Sequence, residues 1–464
     1  MRVAAIDQGT TSTRCLVVES GGQARVAASR THAQSYPAPG RVEHDPEELV
    51  ANVAAVLAAA GPVDAIGLAN QGESCLAWDA LTGEALSPVI VWQDARTAQA
   101  LAALGPDARA RSSAICGLPL DPYFSASKLA WLLRNIPAVA SAQAAGRLRL
   151  GTTDAFFLDR LAGTFATDSA TASRTGLLDL STGTWSEELC ALHGVPLACL
   201  PPVVPVDTDF GTIGGVSVKA SIVDQQAALY GHGCRRPGDA KITFGTGAFL
   251  LAVTGDERLA GGGLLPTVGW QRAGEAPVFA LEGGVYDAGS ALEWLRRLGL
   301  FTGTDELDGF EGPSALSRGL VFVPALSGLA APHWDRAAAP LFIGMDAATG
   351  RRDMVRAALE GIALLTVGLI EAAAAQVGSI SEIAIDGGLS QSASFAGFLA
   401  AASGRSVRVP ALHEMTALGL AELCGADVAD ARAEARHFTP DGSVTGEQRA
   451  RFAEAVARSR GWRG

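Results

Sequence analysis

The chain opens with an apolar block, a polar break and a second apolar block, which predicts two strands, Met1–Ile6 and Cys15–Val18, joined as a hairpin by "DQGTTSTR". Residues 42–59, "VEHDPEELVANVAAVLAA", then carry a helical spacing of apolar positions with start signals in place: Asp45 as N-cap, Pro46 in the first turn, Glu48 three residues after the cap. "VDAIGLAN" reads as a buried strand, "LAWD" and "VIVWQD" as further strands, and "SKLAWLLRN" (Ser127–Asn135) as a helix with Leu129, Leu132 and Leu133 on one stripe. Strands and helices therefore alternate through the first half, an α/β pattern.

The second half starts the pattern again. "AKITFGTGAFLLAVTG" (Ala240–Gly255) is strand, Gly/Thr loop, strand, in the same arrangement as residues 3–18. A long amphipathic helix is expected over Met354–Gln376, and "EIAIDGGLSQSASFAGFLAAASG" reads as strand, Gly-rich turn, helix. Gly, Pro and charge cluster at Gly231–Asp239, which sets the expected domains at 1–232 and 233–464. Two related halves, each with a strand–loop–strand hairpin, predict paired domains with a loop from each pointing into a cleft.

Composition narrows the function. At 464 residues the chain exceeds one ordinary core, and 48% hydrophobic with 18% charged residues describes a folded globular protein. The net charge of −12 argues against a nucleic-acid face or an anionic membrane surface. Lysine occurs only at Lys128, Lys219 and Lys241. The start "MRVAAIDQG" does not read as a signal peptide. The run "GIALLTVGLI" (Gly361–Ile370), bounded by Glu360 and Glu371, is too short to span a bilayer. Seven scattered Cys without a C-x-x-C pair, and seven scattered His without H-E-x-x-H, point to reduced cytoplasmic thiols and no structural zinc.

Three glycine-rich stretches carry candidate chemistry. A lone "GTG" is ordinarily a tight turn. Three such loops at strand ends are a different matter. "DQGTTSTR" offers backbone N–H groups, the hydroxyls of Thr10, Thr11, Ser12 and Thr13, and the Arg14 guanidinium, all donors to phosphate oxygens, with Gly9 allowing close approach. Asp7 cannot bind phosphate, but it can hold a magnesium ion through water. Gly245–Gly247 forms a second donor loop, and Asp386–Ser390 a third turn for a nucleotide's sugar and base. Neither G-x-x-x-x-G-K-[ST] nor a strand-following G-x-G-x-x-G is present, so the expected nucleotide fold is neither P-loop nor dinucleotide-binding.

"AIDQGTTSTR", "GRVEHDP", "VWQDARTA", "DPYFSASKLAWLLRN", "VDQQAALYG", "FGTGAF" and "GLAAPHWD" together resemble the FGGY carbohydrate kinase family, and within it the glycerol kinases. The likeness runs from residue 3 to about 440. Tyr123–Asn135 fits one family signature throughout, and Leu341–Glu360 fits the second, with Pro340 where a small residue is usual. The resemblance implies two ribonuclease-H-like, actin-like ATPase domains with an interdomain catalytic cleft. It also implies ATP and Mg²⁺ as cofactors, a cytoplasmic homodimer or homotetramer, and no nucleic-acid partner or membrane insertion. It casts Asp224 as the base that takes the proton of the attacking hydroxyl, since alcohols are poor nucleophiles at neutral pH. Gln225, Glu73, Trp92, Tyr123 and Phe249 match acceptor contacts. Thr11, Arg14, Thr246, Gly289 and Gly388 match nucleotide contacts, while Glu293 and Ser392 stand where the relatives have Gln and Asn on the adenosine side.

Two departures bear on the acceptor. The family's Asn-Gln-Arg-Glu loop here reads "NQGES", with Gly72 in place of Arg, and "WQDAR" has Asp94 and Ala95 where Cys and Arg are common. The resemblance implies phosphorylation of glycerol to glycerol 3-phosphate. The space at Gly72 keeps open a four- or five-carbon polyol or ketose, of the erythritol, threitol or xylulose type. The stretch "GTIGGVSVKAS" lacks the Arg that ends the fructose-bisphosphate loop of some bacterial glycerol kinases, so insensitivity to that effector is expected. Chaperone-type ATPases and actins share the fold but lack the Trp, Tyr and Asp-Gln constellation. Sugar-responsive repressors carry an N-terminal helix-turn-helix that is not seen here.

Overall fold

The structure, a computed structural model, describes residues 1–463. In chain order, the elements used below begin with strands β1 (Arg2–Gln8), β2 (Ser12–Glu19) and β3 (Ala24–Thr31), helix α1 (Pro46–Ala58) and β4 (Ala65–Asn70). Helix α2 (Ser125–Asn135), β5 (Val216–Val223), α3 (Asp224–Gly231), β6 (Ala240–Phe244), β7 (Ala248–Gly255) and β8 (Val278–Val285) follow. The remainder are α4 (Gly289–Arg297), α5 (Arg351–Val377), β9 (Glu382–Gly387), α6 (Ala393–Ser403), β10 (Ser406–Pro410), α7 (Met415–Leu423) and β11 (Ala435–Phe438).

The chain divides into two units. Unit 1 holds Met1–Gly233, Thr267–Phe279 and Glu414–Ala431; unit 2 holds Cys234–Pro266, Ala280–His413 and Arg432–Gly464. A division at 232/233 thus does not account for two later segments, which return to unit 1. The second of them contains α7, and the reason it returns is steric. A Cβ on Gly231 of α3 would lie 1.9 Å from the Met415 carbonyl oxygen, and one on Gly419 of α7 would lie 2.0 Å from the Ala227 carbonyl oxygen. The two helices cross backbone to backbone, a contact that only glycine at both positions permits.

In unit 1, β1 is antiparallel to β2 and β2 to β3, while β4 runs parallel to β1 and β5 parallel to β4. Register places the C-terminal ends of the parallel strands side by side: Gln8 opposite Asn70, and Asn70 opposite Val223. Everything that leaves those ends, from Gly9, Gln71 and Asp224 onward, emerges at one edge of the sheet. The opposite faces are closed by an apolar core that includes Ile6, Val17, Leu49, Val53, Trp78 and Phe156. Helix α1 starts as its sequence predicts, with Asp45 Oδ1 accepting from Glu47 N at 2.9 Å. Glu48 does not close a capping box; its Oε2 accepts from Ala33 N at 3.2 Å.

Unit 2 repeats this topology. Six strands of its seven-stranded sheet lie in the order β8-β7-β6-β9-β10-β11, with β6 antiparallel to β7, parallel to β9, and β9 parallel to β10. Phe244 is opposite Gly387, so Gly245 and Gly388 also leave one sheet edge together. The long helix α5 is not amphipathic as expected. It is buried almost without interruption from Val355 to Ala373. It is also longer than the ten-residue apolar run that marks it: at 27 residues it is long and apolar enough to cross a membrane, yet 72% of its most apolar window is buried inside the protein. It is the core helix of unit 2, packed with Phe244, Phe322 and Phe395.

The helix crossing can be tested by adding one carbon. Gly419→Ala is expected to cost ~1–3 kcal/mol or more in urea unfolding, because the backbone itself must move. Gly368→Ala in α5, where nothing lies within 4 Å of the added carbon, is expected to be neutral or stabilising by up to about 1 kcal/mol.

Candidate active site

The first hairpin is tighter than its sequence implies. β1 runs to Gln8 and β2 begins at Ser12, so only Gly9, Thr10 and Thr11 are loop, closed by Gly9 N donating to Ser12 O at 3.0 Å. Pairing of Asp7 with Arg14 and Gln8 with Thr13 extends the ladder to this point. As a consequence Thr13, expected among the phosphate donors, is fully buried with its hydroxyl enclosed. Thr10, Thr11, Ser12 and Arg14 keep exposed surface.

Three glycines at the sheet edges leave room above the backbone. A Cβ at Gly9 would meet nothing nearer than 3.6 Å, at Gly245 nothing nearer than 4.0 Å, and at Gly388 nothing within 4 Å. None of the three has a left-handed backbone, so the fold itself does not demand glycine there. Their neighbours Gly247, Gly289 and Gly387 are different: an added carbon would lie 2.7, 2.6 and 2.2 Å from backbone oxygens. The loops are thus built by one set of glycines and left open by another, which makes each an open backbone cradle.

Asp7 lies behind the first cradle. Its carboxylate is buried, its Oδ1 has no hydrogen-bond partner, and burial together with Glu414 pushes its pKa up to about 6 while Arg14 opposes the shift. Arg14 is held by an ion pair with Glu414, the residue at the start of α7. Two histidines support the loop from below. His32 Nε2 bonds Thr10 O at 2.9 Å, and its ring lies edge-on to His44 at 4.7 Å. Burial lowers both imidazoles, His44 to about 4, so both are neutral at pH 7.

The unit 1 residues expected to contact the acceptor lie in and beside the loop after β4. Glu73 adopts a left-handed backbone, φ 58°, an unusual conformation for a side chain other than Gly or Asn. Its carbonyl accepts from Ser125 Oγ at 2.9 Å, and its carboxylate Oε1 accepts from Arg174 Nε at 2.8 Å, both side chains being almost wholly buried. The Trp92 indole N–H donates to Thr10 Oγ1 at 2.9 Å and its ring lies edge-on to Tyr123 at 5.6 Å. Asp224 is the first residue of α3, with Gln225 N donating to its Oδ1 at 2.7 Å. Gly72 sits beside the strand that delivers Asp224: a Cβ there would be 3.1 Å from Val223 Cγ2.

The remaining expected residues are in unit 2. Gly289 begins α4, its N–H bonding Gly245 O at 3.0 Å, and Thr246 O accepts from Ser290 N at 3.0 Å. The Phe249 ring lies 3.2–3.3 Å from the Cβ positions of Gly247 and Gly284. Glu293 is exposed and forked onto Arg296 at 2.7–2.8 Å. Ser392 is committed to the helix it caps: its Oγ accepts from Phe395 N and donates to Leu307 O, both at 3.0 Å. Its hydroxyl thus serves as the N-cap of α6. A cavity of about 520 Å³ in unit 2, between Phe310, Arg356, Ser394 and Phe398, is lined by none of these residues.

Sequence reasoning did not find Arg174, Glu414, Lys128 or the His32–His44 pair. Arg174 and Glu414 act on residues 101 and 400 positions away, whereas Lys128 bonds both the nearby Tyr123 and the more distant Trp92.

Comparison with known proteins gives the family. Residues 2–233 match the N-terminal domain of the FGGY family of carbohydrate kinases, and residues 240–427 match its C-terminal domain. The chain belongs to the FGGY family of carbohydrate kinases. It is 40% identical to a glycerol kinase of Aromatoleum aromaticum, covering 99% of this chain and 98% of the relative. It is 42% identical to that of Thermus brockianus, covering 90% and 88%. Among solved structures, Plasmodium falciparum glycerol kinase with ADP superposes with a TM-score of 0.89 at 28% identity, over 99% of this chain and 98% of that one. The fold is accordingly two ribonuclease-H-like domains, and the chain is a kinase of the ATP-using kind.

Behind the acceptor loop, Asp154 and Asp168 are both wholly buried. Thr167 Oγ1 donates to Asp154 at 2.6 Å, Thr171 Oγ1 to Asp168 at 2.5 Å, and Thr171 also reaches Asn70 at 3.4 Å. Burial pushes both carboxyls up, and the charge of Asp154 adds to the shift at Asp168. Above about pH 4 the unfolded carboxyls are ionised, whereas the folded pair retains a proton. The folded state then binds more protons, so stability falls as pH rises from about 4 toward 8, by at most ~1.4 kcal/mol per pH unit for one proton. Asp168→Asn is expected to flatten this slope; urea unfolding at pH 5, 6.5 and 8 measures it.

Proposed function

We propose that the protein transfers the terminal phosphoryl group of ATP to a primary hydroxyl of glycerol, giving glycerol 3-phosphate and ADP. The observation that carries this reading is the direct link between the phosphate loop and the acceptor residues, the Trp92 N–H donating to Thr10. The extent of identity to proteins named glycerol kinases supports it.

The residues divide the work as follows. Glu73 and Tyr123 hold acceptor hydroxyls, and Trp92 and Phe249 supply aromatic surface for the carbon chain. Asp224 accepts the proton of the attacking hydroxyl as its oxygen bonds to the terminal phosphorus and ADP departs. Thr10, Thr11, Ser12, Arg14 and the backbone N–H groups at Gly9, Gly245 and Thr246 receive phosphate oxygens. Gly289 and Gly388 border the nucleoside. Asp7, with its enclosed and unpartnered Oδ1, is the group suited to hold Mg²⁺ through water. Bound there, the ion would neutralise phosphate charge. Seven cysteines without a disulfide fit a cytoplasmic location, where the nucleotide is also supplied.

The loss of Arg at position 72 favours a longer acceptor as a second reading. Against it stands Arg174, which brings a guanidinium onto Glu73 from another part of the chain. Arg174 orients the carboxylate without help from position 72. Glycerol is therefore the acceptor we assign.

Two measurements check the chemistry. Asp224→Asn is expected to keep its fold and ATP binding while kcat falls by ~10²–10⁴; a variant with most of its turnover would remove Asp224 from the mechanism. A panel of glycerol, erythritol, threitol and xylulose, read as kcat/KM, is expected to place glycerol first. In parallel, Gly72→Arg is expected to change the glycerol-to-erythritol ratio by less than about tenfold, the worth of one hydrogen bond, and to lower kcat, because the new side chain presses on Val223 beside the base. Longer polyols leading in the wild type, with glycerol preference restored by Gly72→Arg, would establish the second reading instead.

A further inference from the structure

Lys128 is fully buried, with 0% exposure, in a chain that has only three lysines. It is the fourth residue of α2. Helix side chains lean toward the N-terminus, and this one reaches back past the start of its helix, where Nζ donates to the carbonyl oxygen of Tyr123 at 2.7 Å. The same ammonium donates to the carbonyl oxygen of Trp92 at 3.4 Å, on a separate loop. One cation therefore joins the backbones of the two residues that carry the indole and the phenol of the acceptor site. We propose that Lys128 is a positioning residue for the acceptor, holding the Trp92 and Tyr123 rings at their mutual 68°. The proposal rests on the reading of the chain as a polyol kinase.

A purely structural role explains the lysine less well. Burying an ammonium costs several kcal/mol unless it is well paired, and an apolar side chain of similar length fills such a space at lower cost. Here burial lowers the lysine's pKa, and Cys75, Glu73, Asp94 and Asp121 around it act in the opposite direction. Nor does the Trp92 loop depend on Lys128 for its existence. Trp92 N donates to Ser74 Oγ at 3.1 Å, Asp94 Oδ2 accepts from Val42 N at 2.6 Å, and Thr97 Oγ1 lies 2.7 Å from Ser127 Oγ on α2. What the ammonium adds is a tie at the carbonyl of Trp92 itself. The ring of that residue lies edge-on to Tyr123 at 5.6 Å, so a shift at its backbone displaces the pair of rings assigned to the acceptor.

The test compares the full-length wild type with Lys128→Met, measuring KM for glycerol, KM for ATP, kcat and the thermal midpoint of each. The expected result is a glycerol KM raised by about tenfold or more, equivalent to ~1.4 kcal/mol, with the ATP KM within about twofold and a folded protein. An equal rise in both KM values, or a lower thermal midpoint with the glycerol KM unchanged, would overturn the inference. Should Lys128→Met not fold, Lys128→Gln, which retains a donor, is put through the same comparison. If neither folds, the lysine is a structural strut and the inference also fails. A wild type that phosphorylates no polyol would sink the functional reading itself. An active wild type whose variant keeps its acceptor KM would sink only the role of Lys128.

Discussion

The contact on which unit 1 depends is the crossing of α3 and α7 at Gly231 and Gly419, where backbone meets backbone with no room for a single methyl group on either side. Close packing of this kind admits few alternatives. It draws a segment from residue 414 onward into a unit otherwise built from the first 233 residues. With that segment comes Glu414, which pairs with Arg14 at the phosphate loop. The helix that begins with Asp224 and the arginine of the hairpin are thus both held by α7.

The second constraint is register. Because β1, β4 and β5 run parallel with their ends level, Asp7, Glu73 and Asp224 all stand within a few residues of one sheet edge. Ligand sites form outside the C-terminal ends of parallel strands for this reason. The unit also buries titratable groups at a cost: Asp7 is pushed to about 6, burial raises Asp154 and Asp168, and burial lowers Lys128, which has no exposed surface. Asp7 lies in β1 one residue from its end, Lys128 bonds the carbonyls of Trp92 and Tyr123, and Asp168 reaches the end of β4 through Thr171 and Asn70. Perturbed charges gathered in this way are a pattern of functional sites.

Unit 2 reaches the same topology with a different sequence. Its loops at Gly245 and Gly388 leave one edge as the loops of unit 1 do, while Gly247, Gly289 and Gly387 are demanded by backbone oxygens 2.2–2.7 Å from where a side chain would begin. Composition alone does not separate the two kinds of glycine, since both stand in "GTG" and "DGG". The distinction is a matter of what lies above each Cα.

What local pattern governs was readable from the chain itself. The hairpin strands, the cap at Asp45, the buried strand at residues 65–70 and the second start at Ala240 follow from apolar spacing and turn chemistry, which act over a few residues. Motif context also named the loops that leave the sheet edges. The length of the first hairpin loop was misjudged, because polar residues from Ser12 to Arg14 look like loop until their ladder partners are known. Ser392 was named from the resemblance alone, and its service as the N-cap of α6 became visible only with the helix it starts. The partners that orient the site were out of reach. Glu73 and Arg174 are 101 positions apart, and Arg14 and Glu414 are 400 apart. Local spacing reports which face of an element is buried, but a pairing between distant residues exists only once two elements have packed. That packing decided which guanidinium meets Glu73, which acid holds Arg14, and where the one buried ammonium of the acceptor loops makes its bonds.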